Sequence, residues 1–196
     1  MSKLWSFAAW RATDLAMADD LPTLRTPRLV LRAHRLEDFP SVAAMWSDPD
    51  FVRFIGAGQP LSPEAAWAKL QRTVGAWPLL GYGFWAIEQA SSGRVIGEAG
   101  FLEARAPTGQ VRTPETGWAL ETSARGQGYA GEAVAAVLAW GDERFERTTC
   151  DIARENVRSI ALARRHGYHD IGPAPLPEGW TGPDFIEFER RGRRVR

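Results

Sequence analysis

At 196 residues and 44% apolar content, the chain suits one domain whose core needs no disulfide or metal staple. Its 24 basic residues balance 24 acidic ones, so no field of one sign draws it to nucleic acid. No apolar run approaches the roughly 20 residues of a membrane-spanning helix. The single cysteine, Cys150, excludes an internal disulfide and fits a reducing, cytoplasmic setting.

The first residues are unusual. The run from Leu4 to Trp10 is apolar and Ala16-Met17-Ala18 mimics a cleavage site, but Arg11 and Asp14 interrupt it, which argues against a signal peptide. Residues 1-21 read as an arm that packs on a partner, or as a segment upstream of a start at Met17. Residues 22-190 read as a single domain, and 191-196 as a basic, solvated tail.

Leu29 and Leu31 alternate with Arg28, Val30 and Arg32, as in a strand near a sheet edge. Residues 37-46 read as a helix. Ser62-Pro63 supplies an N-cap and a proline at the first position of a second helix, ending near Val74. Strand-like runs over 82-89 and 94-102, joined by Ser91-Ser92-Gly93, signal a hairpin. Residues 103-112 read as a loop and 113-121 as a strand. A helix over 131-145 follows, with Ala130, Val134, Val137, Leu138 and Phe145 on one face. The next strand, 148-153, is a parallel neighbour of 113-121, because one helical crossover joins them. Cys150 lies in it and reads as a buried, inert thiol. Asn156 starts a short helix that Gly167 closes. Residues 168-171 and 184-190 supply the last strands.

Between the strand at 113-121 and its helix lies Arg125-Gly126-Gln127-Gly128-Tyr129-Ala130. A glycine-rich turn at a helix N-terminus presents unpaired N–H groups and the positive end of the helix dipole, a seat for phosphate oxygens. A nucleoside-triphosphate loop needs Lys and Ser or Thr after its last glycine, but Glu132 and Ala133 follow Gly131. Gly126, Gly128 and Gly131 match a dinucleotide fingerprint, and Asp151 falls roughly 20 residues on. Against it, Glu121 through Arg125 separate the strand from the first glycine, and only one β-α-β unit surrounds it.

The third pattern, R-x-x-G-x-A at Arg125, Gly128 and Ala130, resembles the acetyl-CoA pyrophosphate loop of the GNAT N-acetyltransferases. Its companions resemble the ribosomal-protein-acetylating (RimJ/RimL-like) branch. They are the opening strand Leu24-Arg25-Thr26-Pro27-Arg28-Leu29-Val30-Leu31-Arg32, then Gly97-Glu98-Ala99-Gly100-Phe101 and Glu115-Thr116-Gly117-Trp118-Ala119-Leu120. Glu155-Asn156-Val157-Arg158-Ser159 and Arg165-His166-Gly167-Tyr168 complete the set.

The resemblance implies an α/β GNAT fold: a mixed, mostly antiparallel sheet whose one parallel pair splays apart, with flanking helices. It implies acetyl transfer from acetyl-CoA, as co-substrate, to a primary amine by direct attack. Trp118, Ala119 and Leu120 would pair with pantetheine, and Arg125, Gly126, Gln127, Gly128, Tyr129 and Ala130 would hold the pyrophosphate. Asn156 would either bond the cofactor or simply cap its helix. The backbone N–H near Ala119 or Leu120 would serve the oxyanion. Glu98, Glu103 and Glu115 are the candidate bases, with Glu115 preferred and Glu98 also fitting the acceptor pocket. The tyrosine that many members use as acid is replaced by Ala163, and Ser159 is the nearest substitute. Trp46 and Phe84 are candidate acceptor-pocket walls. His34, His166 and His169 show no metal spacing, so no metal is expected. The acceptor is a small-molecule amine or a protein N-terminal amine, with no nucleic acid or membrane partner and a monomer or homodimer as the assembly. A non-catalytic acyl-CoA-binding module of the same fold is the competing class.

Overall fold

The computed structural model describes residues 21–102 and 113–192; the expected arm over 1-21 except its last residue, the loop with Glu103 and the end of the basic tail lie outside them. Eight strands form one sheet: β1 Leu24–Arg25, β2 Leu29–Arg32, β3 Phe84–Gln89, β4 Val95–Leu102, β5 Glu115–Leu120, β6 Arg147–Ala153, β7 His169–Pro173 and β8 Phe185–Arg191. Their order is β1-β2-β3-β4-β5-β6-β8-β7. Every neighbouring pair is antiparallel except β5 and β6. The mixed, mostly antiparallel α/β class expected from the sequence is the one observed.

Among the described residues five α-helices flank the sheet: α1 Phe39–Ser47, α2 Pro49–Val52, α3 Pro63–Leu80, α4 Tyr129–Asp142 and α5 Val157–Arg165. Period-two alternation along the strands buries both faces. One face packs Trp85, Phe101 and Phe188 against Val134 and Val137 of α4 and Leu162 of α5. The other packs Ala86 and Val95 against Val42 and Trp46 of α1, Phe51 of α2 and Leu70 of α3.

Two helices depart from the sequence reading. The second expected helix, α3, continues past Val74 to Leu80. Trp77 makes the extra turns worthwhile: it is buried and donates Nε1–H to the Phe84 carbonyl at 3.0 Å. Its ring meets Trp85 and Trp140 edge-on, at centroid distances of 4.6 and 5.7 Å, a favoured geometry for aromatic pairs. Pro78 sits in the last turn, and Gly81 at φ +75° closes the helix. The short α2 is not anticipated above, although Asp48-Pro49 carries its signal. The Asp48 carboxylate accepts from the Asp50 N–H at 2.9 Å, and Pro49 takes the first position.

Cys150 is 1% exposed. Burial, then the carboxylates of Glu115 and Asp151, push its thiol up, so it stays protonated and inert, as expected.

His34 is buried, and neither ring nitrogen has a hydrogen-bond partner among the described residues. Burial holds its pKa below the ordinary value, with Lys69 and Arg32 adding to the effect and the carboxylates of Glu98 and Asp38 opposing it. Half-buried His166 is held low in the same way, by burial and then by Arg165 and Arg190. Both histidines take up a proton more readily when unfolded. Their stabilisation is therefore complete above the unfolded pKa near 6.5 and is lost as pH falls toward the folded values. Urea midpoints should drop between pH 7 and pH 5, and His34→Met should flatten much of that slope. An equal slope in the variant would assign the effect to His166 alone.

Candidate active site

The parallel pair β5–β6 is joined by a single rung. Glu115 lies opposite Thr149, and the Thr149 N–H donates to the Pro114 carbonyl at 3.1 Å. Beyond that point the two strands share no further rung, and residues of both, among them Trp118, Ala119, Ile152 and Ala153, border a common gap.

Hydrogen bonds on the other side of β5 reveal which backbone groups line the gap. Glu121 N–H donates to the Ile96 carbonyl of β4 at 2.9 Å. In an antiparallel ladder the paired residues alternate, so Ala119 and Gly117 also turn their N–H and C=O groups toward β4. Trp118 and Leu120 turn theirs the opposite way. The Leu120 carbonyl indeed accepts from Arg125 Nε at 3.1 Å. Of the three residues expected to pair with pantetheine, Trp118 and Leu120 therefore present their backbone to the gap. Ala119 contributes its side chain to the sheet face beneath α1 and α3. Trp118 is the first gap-facing position of β5 past the rung residues; of the two N–H groups foreseen for the oxyanion, that of Ala119 turns toward β4 and that of Leu120 toward the gap.

At the open end of the gap lies the glycine turn. Gly126 and Gly128 have φ of +78° and +84°, the left-handed region where glycine carries no Cβ penalty. A Cβ added at Gly126 would meet nothing within 4 Å, so the outer surface of the turn is open. No side chain caps the N-terminus of α4, whose first N–H groups have no intrahelical acceptor. The turn is braced from behind. Gln127 Nε2 donates to the Ser123 carbonyl at 3.0 Å, and Arg125 Nη2 donates to the Asp50 carbonyl at 3.1 Å. Arg125 is thus a strut between β5 and α2. Tyr129 is buried, and its hydroxyl accepts from Gln89 Nε2 at 2.8 Å. An anion and an extended, amide-bearing arm both fit this arrangement of glycines, free helix-end amides and unpaired strand edge.

Asn156 and Ser159 stand across the gap from Trp118. The Asn156 Oδ1 accepts from the Ser159 N–H at 3.2 Å, so the capping role is real and occupies that oxygen. Its amide nitrogen remains on the same wall. Both residues border two connected recesses: about 1010 Å³ beside the glycine turn, and about 1740 Å³ under α1 and α3.

The larger recess has Trp46, Phe84, Glu98 and Glu115 in its walls, together with Lys69 and Asp151. Gly117 leaves room for Phe84, since a Cβ there would lie 2.7 Å from the ring. Lys69 has no counterpart in the sequence reading. Its Nζ is 2.8 Å from Glu98 Oε1 and 4.2 Å from the centroid of the Trp46 ring. A lysine on an amphipathic helix carries no signal of such a partner 29 residues away. With side chains 18% and 6% exposed, this pair gives the recess one fixed positive and one fixed negative group. Glu115 lies on the same face, at the closed end of the gap. The structure thus gathers Glu98, Glu115, Trp46 and Phe84 in one recess, and Arg125, Gly126, Gly128, Tyr129 and Ala130, with Asn156 and Ser159 but without Gln127, around the other. Trp67, on the same helix as Lys69, packs edge-on against Phe39 at 5.1 Å. Among the described residues no cluster of His, Cys, Asp and Glu has metal-binding geometry.

The chain matches the family model of the acetyltransferase (GNAT) domain over residues 28–169, well over half its length. Among solved structures, a protein described as a GNAT-family acetyltransferase from Bordetella pertussis is 30% identical, covering 86% of this chain and 99% of its own, at a TM-score of 0.72. An acetyltransferase from Agrobacterium tumefaciens is 27% identical, covering 87% and 94%, at a TM-score of 0.73. A RimL ribosomal-protein alpha-N-acetyltransferase in complex with coenzyme A shares the fold at 20% identity, covering 87% and 98%, at a TM-score of 0.70.

Proposed function

Since the chain belongs to the GNAT acetyltransferase family, we propose that it transfers acetyl from acetyl-CoA to the primary amine of a small molecule by direct attack. The observation that carries this reading is the single-rung β5–β6 gap, which links an open anion seat to an aromatic-walled recess. Family membership favours the enzyme over a non-catalytic acyl-CoA-binding module. The recess favours a small acceptor over a protein N-terminus, because Trp46 and Phe84 wall it and a buried ion pair limits its floor.

Bound acetyl-CoA supplies the thioester carbonyl that the amine attacks. The N–H groups from Gly126 to Ala130 hold the pyrophosphate, reinforced by the helix dipole. Trp118 and Leu120 pair with the pantetheine amides as a neighbouring strand would. This orientation directs the thioester toward the closed end of the gap, beside Glu115. An α-amine titrates near 8 and a lysine-like amine near 10.4, so the acceptor arrives as ammonium and needs a base. Glu115 takes that proton. The amine nitrogen then bonds to the carbonyl carbon, and the Trp118 N–H stabilises the developing oxyanion. The C–S bond breaks, the nitrogen sheds its remaining extra proton to become the amide, and Ser159 or water relays that proton to the thiolate, whose pKa is about 8.5 by analogy with cysteine.

The test is thermal unfolding with acetyl-CoA, CoA and NAD⁺. At 100-fold its Kd a ligand stabilises the fold by about 2.7 kcal/mol, which raises Tm by several degrees. A rise with the CoA species is expected, followed by CoA release with one class in a panel of small amines and N-terminal peptides. A rise with NAD⁺ alone would overturn the reading. Turnover confined to peptides would transfer the acceptor to proteins.

A further inference from the structure

Arg28 lies behind the glycine turn, on the opposite side from the gap. Its Nη1 donates to the Gln127 carbonyl at 2.9 Å, a group inside the turn. Its Nε and Nη2 both lie 2.7 Å from Glu132 Oε2. The Arg28 backbone N–H donates to Glu132 Oε1 at 2.9 Å, and Thr26 Oγ1 donates to the same oxygen at 2.6 Å. The guanidinium also stacks over Tyr129, 4.5 Å from its centroid. A Cβ at Gly128 would approach Nη2 to 3.3 Å. One side chain therefore touches the turn, the first turn of α4 and the aromatic ring beneath them.

In a trans peptide the C=O and the following N–H point in opposite directions. We propose that Arg28 is a positioning residue of the phosphate seat: by holding the Gln127 carbonyl on the rear side, it aims the Gly128 N–H at the bound pyrophosphate. The inference rests on the phosphate-seat reading above. Arg28 has a second effect of the same sign. Glu132 is an anion one helical turn from the seat, and Arg28 neutralises it. Without Arg28, the Gln127–Gly128 peptide, which has a glycine on one side, is free to rotate and present its carbonyl to phosphate. The Glu132 charge would then repel the same group. The Arg28 side chain is 47% exposed, so its ion pair contributes little to stability by itself, and its removal leaves a folded protein to assay.

The experiment compares wild type, Arg28→Ala and Arg28→Lys with two donors: acetyl-CoA, and acetyl-pantetheine, which lacks the pyrophosphate. Arg28→Ala should weaken acetyl-CoA about tenfold or more in Kd and KM, the effect of losing one well-placed hydrogen bond. Its kcat at saturation should hold within about twofold. With acetyl-pantetheine the variant and wild type should have the same kcat/KM. Arg28→Lys, which keeps the charge but reaches either Gln127 or Glu132 and not both, should fall between. An Arg28→Ala protein that binds acetyl-CoA like wild type overturns the proposal. So does an equal loss with both donors, since that marks general structural damage. Wild type that binds neither CoA nor acetyl-CoA overturns the phosphate-seat reading itself, and the proposal with it.

Discussion

Glu115→Gln should lower kcat by about 10²- to 10⁴-fold, the usual contribution of a positioned base, while acetyl-CoA binds with its affinity within about twofold of wild type. Glutamine keeps the size of the side chain and most of its hydrogen bonding but cannot accept the proton of an ammonium. Three observations favour this residue over its neighbours. It occupies the last rung before β5 and β6 part, where the thioester end of an arm anchored at the glycine turn would lie. It shares the recess with Trp46 and Phe84. Its charge reaches the Cys150 side of the gap, where, after burial, it is the leading electrostatic influence on that thiol. Glu98, which Lys69 holds at 2.8 Å, is the comparison. The measurement is kcat and KM across pH for both Glu→Gln variants. Loss of the acidic limb only in Glu115→Gln supports the assignment. Undiminished kcat in that variant would move the base to Asp151, Glu98 or water.

Gly97→Ala should cost about 1–3 kcal/mol, the range for overpacking a filled interior, with a matching loss of acetyl-CoA affinity. A Cβ on Gly97 would lie 2.2 Å from the Ala119 carbonyl oxygen, 2.6 Å from Leu120 Cδ2 and 3.0 Å from Leu120 Cα. Two of these three atoms are backbone, so β5 itself must shift. Gly97 is also paired with Ile87 on its other side, which prevents β4 from retreating. The displaced segment contains the Trp118 and Leu120 groups that face the gap, so stability and cofactor binding should fall together. Gly75→Ala is the control. Gly75 lies inside α3, and a Cβ there meets nothing within 4 Å, so the change should be neutral or stabilising by about 0.5–1 kcal/mol. Calorimetry with a CoA titration tests both. A Gly97→Ala protein as stable as wild type would mean that the sheet absorbs the methyl group elsewhere.

Much of the fold is legible in the chain because its signals are local. Ser62-Pro63 starts α3, Ser91-Ser92-Gly93 turns a hairpin, and Gly126 and Gly128 take positive φ at the start of α4. Each depends on the backbone preferences of residues adjacent in sequence. The crossover from β5 through α4 to β6 likewise sets the parallel pairing by handedness and length alone. Where local signals competed with packing, packing prevailed. Gly75 and Pro78 suggest an early end to α3, yet burial of Trp77 carries the helix to Leu80.

The site divides along the same line. Residue types and spacing mark the glycine turn as an anion seat, and the family resemblance adds Glu115 and Asn156 as candidates. Three features depend on distance in space instead. The β5–β6 ladder stops after one rung, the alternation of β5 gives the gap to Trp118 and Leu120 rather than Ala119, and Lys69 and Arg28 reach Glu98 and Gln127 from elements 29 and 99 residues away. Sequence determines which groups are available and which local turns they can make. Only the tertiary structure decides which backbone edge stays unpaired and which charges meet, because both depend on contacts between segments whose separation along the chain carries no record of their approach.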